Sequence, residues 1–456
     1  MKRKLEPVLI RLADYRSESR KMSKKIRRFL GILLACVVTT FALFAHDSKS
    51  ASTPQGAGVA SSATRNAAIV ATSMAVLKET SELRELSILR PVKSGAQSRT
   101  DIERMIVRNL DEQTTPAEMH ATETALKKLG LAPEAFRYRP FIIKLLTEQV
   151  AGYYDPKAQN FYLADWIELE GQKPVMAHEL THALQDQHFN LRRFEKWPSG
   201  DSDAEMAAHA LIEGDATLAM TIYMARNPLV ALAFIRSLGA TAMASAQFNQ
   251  APRALRESLI FPYEQGSEWS TSVYKRGGWK MVSDAFVKLP LSTEQILHPE
   301  KYISYEPPVK ISLPDIGNLL GRGWRRIDYD VNGEWSYYLI LDQFLGAPAE
   351  SRRAAMGWAG DRYELYEGPL PDQIVIAQLS AWDSENDARE FFDAYTKRTD
   401  RRYEGVQVED GGTSDFHKWQ TKEGNVFLER RGERVLILEG LPPGLDWKVI
   451  NRNLWR

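Results

Sequence analysis

Residues 175–184 contain side chains that can bind a metal ion and move a proton. His178 and His182 are four residues apart, so on a helix both imidazoles lie on one face and can reach a single cation. Glu179 is displaced by about 100° around that helix, beside the open side of such a cation, where its carboxylate can accept a proton from water. The neighbouring residues are uncharged, as expected for a buried helix over residues 175–188. This pattern predicts a zinc site for metal-assisted hydrolysis.

A catalytic zinc needs a third protein ligand and an open fourth position. Glu213 is the strongest candidate, because it lies among small and apolar residues of a helix predicted over residues 204–225, and a buried carboxylate needs a partner. Gly214 is expected to let this helix pack closely on the first. His209 is either a rival ligand or a supporting core histidine. Asp215 either orients a ligand imidazole or caps the helix at the surface.

The elements that must position these residues follow from periodicity and turn residues. Apolar residues at helical spacing predict helices across residues 63–150. Two aromatic runs at residues 152–154 and 160–163 predict a β-hairpin, whose second strand, as an edge strand, can pair with an extended peptide. A long helix over residues 254–287 is expected to break at Pro262 and at the glycine pair 277–278.

The last hundred residues alternate between strands and helix. A proline-rich boundary at residues 290–314 precedes them, followed by a helix over residues 334–345. The further elements are strands at 363–366 and 374–379, a helix capped by Asp383 or Ser384 that runs to about residue 397, and strands at 426–429 and 435–438. The β-β-α-β-β order predicts a small α+β domain.

The pair of histidines, followed by Glu-Gly-Asp-Ala at residues 213–216, resembles the gluzincin clan of zinc metallopeptidases. Its aminopeptidase N and leukotriene hydrolase families carry a downstream Glu-Gly-x-Ala motif. The resemblance implies that Glu213 is the third zinc ligand beside His178 and His182, and that Glu179 is the catalytic base.

A second segment extends the resemblance. Those families carry Pro-Tyr-Glu-Lys-Gly after the ligand helix, and its tyrosine stabilises the oxyanion. This chain has Phe-Pro-Tyr-Glu-Gln-Gly at residues 261–266, which implies that Tyr263 is the electrophilic donor; the alternative is a core tyrosine. Gln265 replaces the usual lysine. The Gly-x-Met-Glu-Asn strand that holds a substrate's free amine is missing upstream of His178, which favours endopeptidase over aminopeptidase activity.

The chain is also similar to a group of uncharacterised bacterial secreted proteins that carry His-Glu-Leu-Thr-His-Ala-Leu-Gln-Asp-Gln-His and Ser-Thr-Glu-Gln-Ile-Leu-His-Pro-Glu-Lys-Tyr. Here these segments occupy residues 178–188 and 292–302. The group implies no activity. We expect His188 to point away from the metal and His298 to lie in a loop, and neither to be a ligand.

Composition excludes several classes of protein. The 456 residues include 59 Lys or Arg and 59 Asp or Glu, with 44% hydrophobic residues, which is typical of a globular protein. Residues 29–456 carry 48 basic and 56 acidic residues, a net charge of −8, which argues against nucleic acid as a partner. Cys36 is the single cysteine, so a disulfide within the chain and a cysteine-based zinc site are both excluded.

The N-terminus predicts export. Residues 1–28 hold 11 Lys or Arg, and residues 29–45 are uncharged and mostly apolar. This order is typical of a cleaved secretory signal; a retained membrane anchor and a lipoprotein processed at Cys36 are the alternatives. Met22 is a better start than Met1. In each case the body lies outside the cytoplasm of a bacterium.

Together these features predict an α+β protein with four parts. They are a signal peptide or membrane anchor (1–45), a polar linker (46–66), a mostly helical zincin-like domain with a small hairpin or sheet (67–310), and a C-terminal α+β domain (311–456). The expected function is zinc-dependent hydrolysis of a peptide or protein substrate. The alternatives are a non-catalytic envelope protein that binds a partner, and a zinc hydrolase of another substrate. Residues 46–150 are either a propeptide or, as we expect, part of the catalytic unit.

Overall fold

The computed structural model describes residues 62–166, 169–197, 200–241, 248, 250–370, 372–403 and 414–456. The predictions for residues 1–45 and for the linker up to residue 61 lie outside the described residues. The described chain is a mixed α+β structure, as the sequence predicted.

Helices make up most of the N-terminal two thirds of the chain. They are α1 (Ser62–Arg84), α2 (Arg99–Gln113), α3 (Pro116–Lys128), α4 (Tyr138–Gln149), α5 (Lys173–Phe189), α6 (Ser202–Arg226), α7 (Pro228–Thr241), α8 (Arg253–Ala285), α9 (Thr293–Leu297), α10 (Pro299–Ser304), α11 (Gly317–Leu320), α12 (Gly333–Leu345), α13 (Pro348–Ala355), α14 (Glu385–Arg402) and α15 (Trp447–Leu454). The short helices α9 and α10 lie inside the predicted proline-rich boundary.

A small sheet supports the helix that carries the paired histidines. Its strands are β1 (Lys93–Gln97), β2 (Gly152–Asp155) and β3 (Asn160–Ala164), in the order β1-β3-β2. The predicted hairpin is confirmed, because β2 and β3 pair antiparallel. The prediction of an edge strand was wrong: β3 is central, since β1 pairs with its other side in parallel. The sequence 93–97, Lys-Ser-Gly-Ala-Gln, has too little strand character to reveal β1.

Helices α6 and α8 pack with their backbones in contact at two glycines. A Cβ atom on Gly214 would lie 2.1 Å from the carbonyl oxygen of Gly266, and one on Gly266 would lie 2.2 Å from that of Ala210. Gly214 therefore permits a close approach, but the neighbour is α8. The sequence predicted that Gly214 contacts the helix that carries His178 and His182, and this was wrong. A sequence shows that a glycine is small, but it does not show which helix packs against it.

Helix α8 continues through its proline. Pro262 lies inside the helix, and only Gly277 and Gly278 leave helical backbone angles, with φ/ψ of −146°/17° and 64°/−165°. The predicted break at the glycine pair is confirmed, and the break at Pro262 was wrong. A proline in a helix removes one backbone hydrogen bond. Phe261 and Tyr263, which flank Pro262, are both buried, and their packing offsets this loss.

The C-terminal region is built on an antiparallel sheet in the order β4-β5-β6-β9-β8-β7. Its strands are β4 (Arg325–Asp330), β5 (Trp358–Glu367), β6 (Ile374–Trp382), β7 (Phe416–Thr421), β8 (Gly424–Arg431) and β9 (Arg434–Leu441). The predicted β-β-α-β-β order omitted β4 and β7. Both are edge strands, and edge strands carry charges that hide the apolar alternation; β4 reads Arg-Arg-Ile-Asp-Tyr-Asp.

Side chains on both sides of the predicted boundary at residue 310 share one hydrophobic core. The largest buried cluster includes Ile69, Leu180 and Trp269 together with Tyr337 and Ile437. The division into two domains stays a prediction. Among the described residues no single helix is long and apolar enough to cross a membrane, although the bent pair Ser202–Arg226 and Pro228–Ser237 passes that test when taken together.

Candidate metal centre

Three side chains from two helices meet at one point. The Nε2 atoms of His178 and His182 on α5 lie 3.1 Å apart, and the Oε2 atom of Glu213 on α6 lies 3.1 Å from the first and 3.3 Å from the second. All three side chains are buried. The structure therefore brings together the three residues that the sequence predicted as metal ligands.

The spacing of these atoms fits a tetrahedral ion. Zinc binds nitrogen and carboxylate oxygen at about 2.0–2.2 Å, which places neighbouring ligand atoms of a tetrahedral site about 3.3–3.6 Å apart, slightly more than in this triangle. Two imidazoles and one carboxylate also form a known ligand set of catalytic zinc, with a fourth position left for water or substrate. The residues of this chain fit a zinc ion.

Glu179 lies beside the same group. One of its carboxylate oxygens is within 4.8 Å of ligand atoms of both His178 and His182. Its Oε2 atom accepts a 2.9 Å hydrogen bond from the backbone N–H of Tyr154 on β2. Of the two nearby carboxylates, Glu213 contacts both histidines directly, and Glu179 lies beside them.

Burial and charge set the protonation of the cluster. Burial raises the pKa of Glu179 to about 8, and a divalent cation beside it would lower this pKa. Burial also opposes the charges on Glu213 and His182, but their mutual attraction and hydrogen bonding outweigh it, so the pKa of Glu213 falls to about 2 and that of His182 rises to about 9. Burial lowers the pKa of His178. A cation that binds here must displace a proton from His182.

A chain of buried polar groups orients the imidazole of His182. Its Nδ1 atom lies 2.9 Å from Oε1 of Gln185, whose Nε2 donates to Oδ2 of Asp215 at 2.8 Å. Asp215 forms an ion pair with Arg84, in which Nε and Oδ1 are 2.6 Å apart. Of the two alternatives for Asp215, a position at the surface was wrong, because the side chain is buried; Asp215 reaches the imidazole of His182 through Gln185.

Hydrogen bonds join the C-terminal end of α5 to the segment that follows α1. The side chain of Gln187 accepts hydrogen bonds from the backbone N–H groups of Leu89 and Arg90, and Nε2 of His188 lies 2.8 Å from the carbonyl oxygen of Ser87. His188 thus points away from the metal cluster, as predicted. Asp186 receives hydrogen bonds from Arg90 Nη2, the Tyr154 hydroxyl and the Leu191 backbone.

Sequence analysis missed Tyr154, Gln185 and Arg84. The signal for Gln185 was present, since it lies three residues after His182 and so on the same face of the helix. Tyr154 binds Glu179 through its backbone and Asp186 through its hydroxyl, so it spans two turns of α5. A backbone donor leaves no trace in residue type, and Arg84 is 131 positions away from Asp215.

The remaining candidates occupy different positions. The ring of Tyr263 on α8 stacks on that of His178, with centroids 6.0 Å apart and 25° between the planes. His209 is buried, neither ring nitrogen has a hydrogen-bond partner among the described residues, and burial lowers its pKa to about 4. His298 lies between α9 and α10, where Nε2 is 3.0 Å from Oε1 of Glu334.

Comparison with known proteins covers the C-terminal region alone. A family described as "Domain of unknown function (DUF8575)" matches residues 320–447, which contain β4 to β9 and none of the metal-cluster residues. No curated protein and no solved structure matches the chain.

Proposed function

We propose that this protein is a zinc-dependent endopeptidase of the gluzincin type that acts outside the bacterial cytoplasm. The observation that supports this proposal best is the triangle of His178 Nε2, His182 Nε2 and Glu213 Oε2, with sides of 3.1–3.3 Å. The adjacent Glu179 supplies the proton acceptor that hydrolysis needs. The zincin-like character of the helical region belongs to the same proposal.

Each residue has a separate task in the proposed reaction. Zinc held by the three ligands would supply Lewis-acid activation of a water molecule and of the scissile carbonyl. Glu179 accepts a proton from the attacking water and delivers it to the leaving amine, while the N–H of Tyr154 fixes the carboxylate. Tyr263, beside His178, donates a hydrogen bond to the developing oxyanion.

The backbone of a substrate cannot pair with β3, because this strand is paired on both sides. The outer edge of β2 faces α5, where the N–H of Tyr154 is already bound by Glu179. We therefore base the preference for endopeptidase cleavage on the missing amine-binding segment alone. The extracytoplasmic location is supported by the basic and apolar leader at residues 1–45.

Replacement of Glu179 by glutamine tests the role of the base. The Glu179→Gln variant should retain zinc, because the three ligands remain, and should lose at least about 100-fold in peptide cleavage. Zinc content and cleavage of a peptide library are measured for the wild type and this variant. A variant with full activity would refute the mechanism.

The same experiment separates the alternatives. Zinc without cleavage of any peptide would favour a hydrolase of another substrate. A protein that binds no zinc and cleaves nothing would favour a non-catalytic envelope protein.

A further inference from the structure

A cavity of about 680 Å³ lies beside the first turns of α6, between α3, β4, α8 and α12. None of the three zinc-ligand candidates lines it. Glu205, which does, precedes Glu213 by eight residues on α6, or about 12 Å along the helix axis. The cavity is therefore a separate site on the same helix.

The lining combines apolar walls with carboxylates. Leu126, Leu129, Met206, Leu255 and Leu339 contribute apolar surface, and Trp335, Tyr329 and Tyr363 contribute aromatic rings. The carboxylates that line the cavity are Glu118, Asp203, Glu205, Asp328 and Asp330. A surface of this kind suits a ligand that has both an apolar part and a positive charge.

Glu205 is the carboxylate that has no partner. The residue is 5% exposed, and no hydrogen bond or ion pair to its carboxylate occurs in the described part of the chain. The charged groups that act on it most strongly are Asp330 and Asp201, which are of the same sign. Burial and these two carboxylates raise the pKa of Glu205 to about 8. Near neutral pH a proton neutralises this carboxyl, and a cation bound beside it would stabilise its charged form instead.

The other carboxylates do not solve this problem. Asp330 accepts two 2.8 Å hydrogen bonds from the backbone N–H groups of Ser202 and Val331, which are neutral donors. Asp203 is bound by the backbone and hydroxyl of Thr293, at 3.1 and 2.5 Å. These bonds satisfy oxygen atoms and bring no positive charge to Glu205.

The basic residues in the lining are already paired elsewhere. Arg325 and His120 both contact Glu367, and Arg326 contacts Glu364. No basic side chain of the lining is therefore left to pair with Glu205 or Asp330.

An organic cation fits better than a metal ion. Among the described residues, no three of the cavity carboxylates form a group whose ligand atoms all lie within 4.8 Å of one another. The cavity carboxylates are thus too far apart to surround one small ion. Aromatic rings and apolar walls favour an ammonium or guanidinium group on a hydrocarbon stem.

We propose that this cavity binds an alkylammonium or guanidinium group carried on an apolar stem, with Glu205 and Asp330 as its counter-ions. Such a group occurs in free polyamines and in lysine or arginine side chains of peptides. Residues 325–332, which include the edge strand β4, line the cavity without interruption. A peptide can add to an exposed strand edge, so this feature favours the peptide as the source.

The test measures binding in the full chain carrying Glu179→Gln, so that no peptide is consumed. The probes for isothermal titration are an acetylated Ala-Ala-Arg-Ala-Ala amide, the same peptide with citrulline, spermidine and calcium chloride. We expect the arginine peptide to bind at least about 10-fold more tightly than the neutral citrulline peptide, a difference of about 1.4 kcal/mol. Spermidine that binds as tightly as the arginine peptide would identify a free amine as the source.

Two further substitutions locate the counter-ions. Glu205→Gln and Asp330→Asn, each added separately, should abolish the preference for the arginine peptide over the citrulline peptide. Because each substitution removes like-charge repulsion, the midpoint of thermal unfolding should not fall. Asp111→Asn, which changes an exposed residue of α2 paired with Arg139, should leave binding unchanged.

Equal binding of the two peptides, or a preference that survives both cavity substitutions, would overturn the proposal. Calcium binding without amine binding would do so as well. Because hydrolysis is not measured, these outcomes do not depend on the proposed function.

Discussion

At the level of single residues, the metal cluster depends on the hydrogen bonds that fix the imidazole of His182. His182 is oriented through Gln185 and Asp215 to the fully buried Arg84. A hydrogen bond to the second ring nitrogen of a metal-binding histidine fixes the ring and raises its basicity. Gln185 is therefore a positioning residue. Its removal should lower the affinity for zinc more than it lowers the reaction rate of the zinc-loaded protein.

Replacement of Gln185 by leucine should lower zinc affinity by about 10- to 100-fold, because this is the usual effect of removing such a hydrogen bond. The dissociation constant is measured by competition with a chromophoric chelator. Gln187→Ala is the matched control, since Gln187 binds Leu89 and Arg90 and contacts none of the ligands. Equal affinities for the two variants would show that Gln185 has no positioning role.

Some residues of the cluster could be predicted from the sequence, and others could not. The spacing of His178 and His182 on a helix fixes their common face, so this pair could be predicted from sequence. Glu213 could be selected because a carboxylate in an apolar stretch needs a partner. The N–H group of Tyr154 could not be found, because every residue except proline carries a backbone donor.

At the element scale, the position of Glu213 depends on the contact between α6 and α8. Gly214 and Gly266 allow their backbones to touch, and Tyr263 lies one turn before Gly266 on α8. The sequence predicted both helices and the need for a small residue. It did not predict the partner helix, because a glycine has no side chain that indicates a neighbour.

Gly214→Ala should destabilise the protein by about 1–3 kcal/mol or more, because the added methyl group would push α6 away from α8. Urea unfolding measures the change in the free energy of unfolding. Gly95→Ala is the control: its Cβ atom would meet no atom closer than 3.7 Å, so its effect should stay within about 0.5 kcal/mol. If both variants were equally stable, the close helix contact would not contribute to stability.

At the scale of the whole molecule, polar links join the helical region to the C-terminal sheet. Nη2 of Arg398 on α14 donates to the carbonyl oxygen of Leu129, and Nζ of Lys301 lies 2.7 Å from Glu294 Oε1 and also pairs with Asp383. These links and the shared core could not be read from the sequence, where the proline-rich residues 290–314 indicated a boundary. A proline-rich composition indicates a change in local structure. It does not show whether the residues before and after this segment pack together in the folded chain.

The buried carboxylates give the whole molecule a characteristic pH dependence. Burial together with like charges raises the pKa of Glu205 to about 8 and that of Asp330 to about 7. Between their ordinary values and these raised values the folded protein binds more protons than the unfolded chain, so its stability falls as pH rises. His209, whose pKa is lowered to about 4, acts in the opposite direction only below about 6.5.

The free energy of unfolding should therefore fall by about 1–3 kcal/mol between pH 6.5 and 8. The Glu205→Gln variant should show a clearly smaller decrease, because one of the protons taken up on folding is no longer needed. Urea unfolding at several pH values in the same buffer measures both slopes. A stability that rises over this range, or that is unaffected by the substitution, would contradict the assignment of buried, unpaired carboxylates.

Anomalous X-ray diffraction at the zinc edge, from crystals grown with zinc, shows whether the three side chains hold a zinc ion. We predict one strong zinc peak at about 2.0–2.2 Å from His178 Nε2, His182 Nε2 and a carboxylate oxygen of Glu213, and loss of that peak in the Glu213→Ala variant. If zinc were bound elsewhere in the chain and not between these three side chains, the proposed zinc site would be wrong.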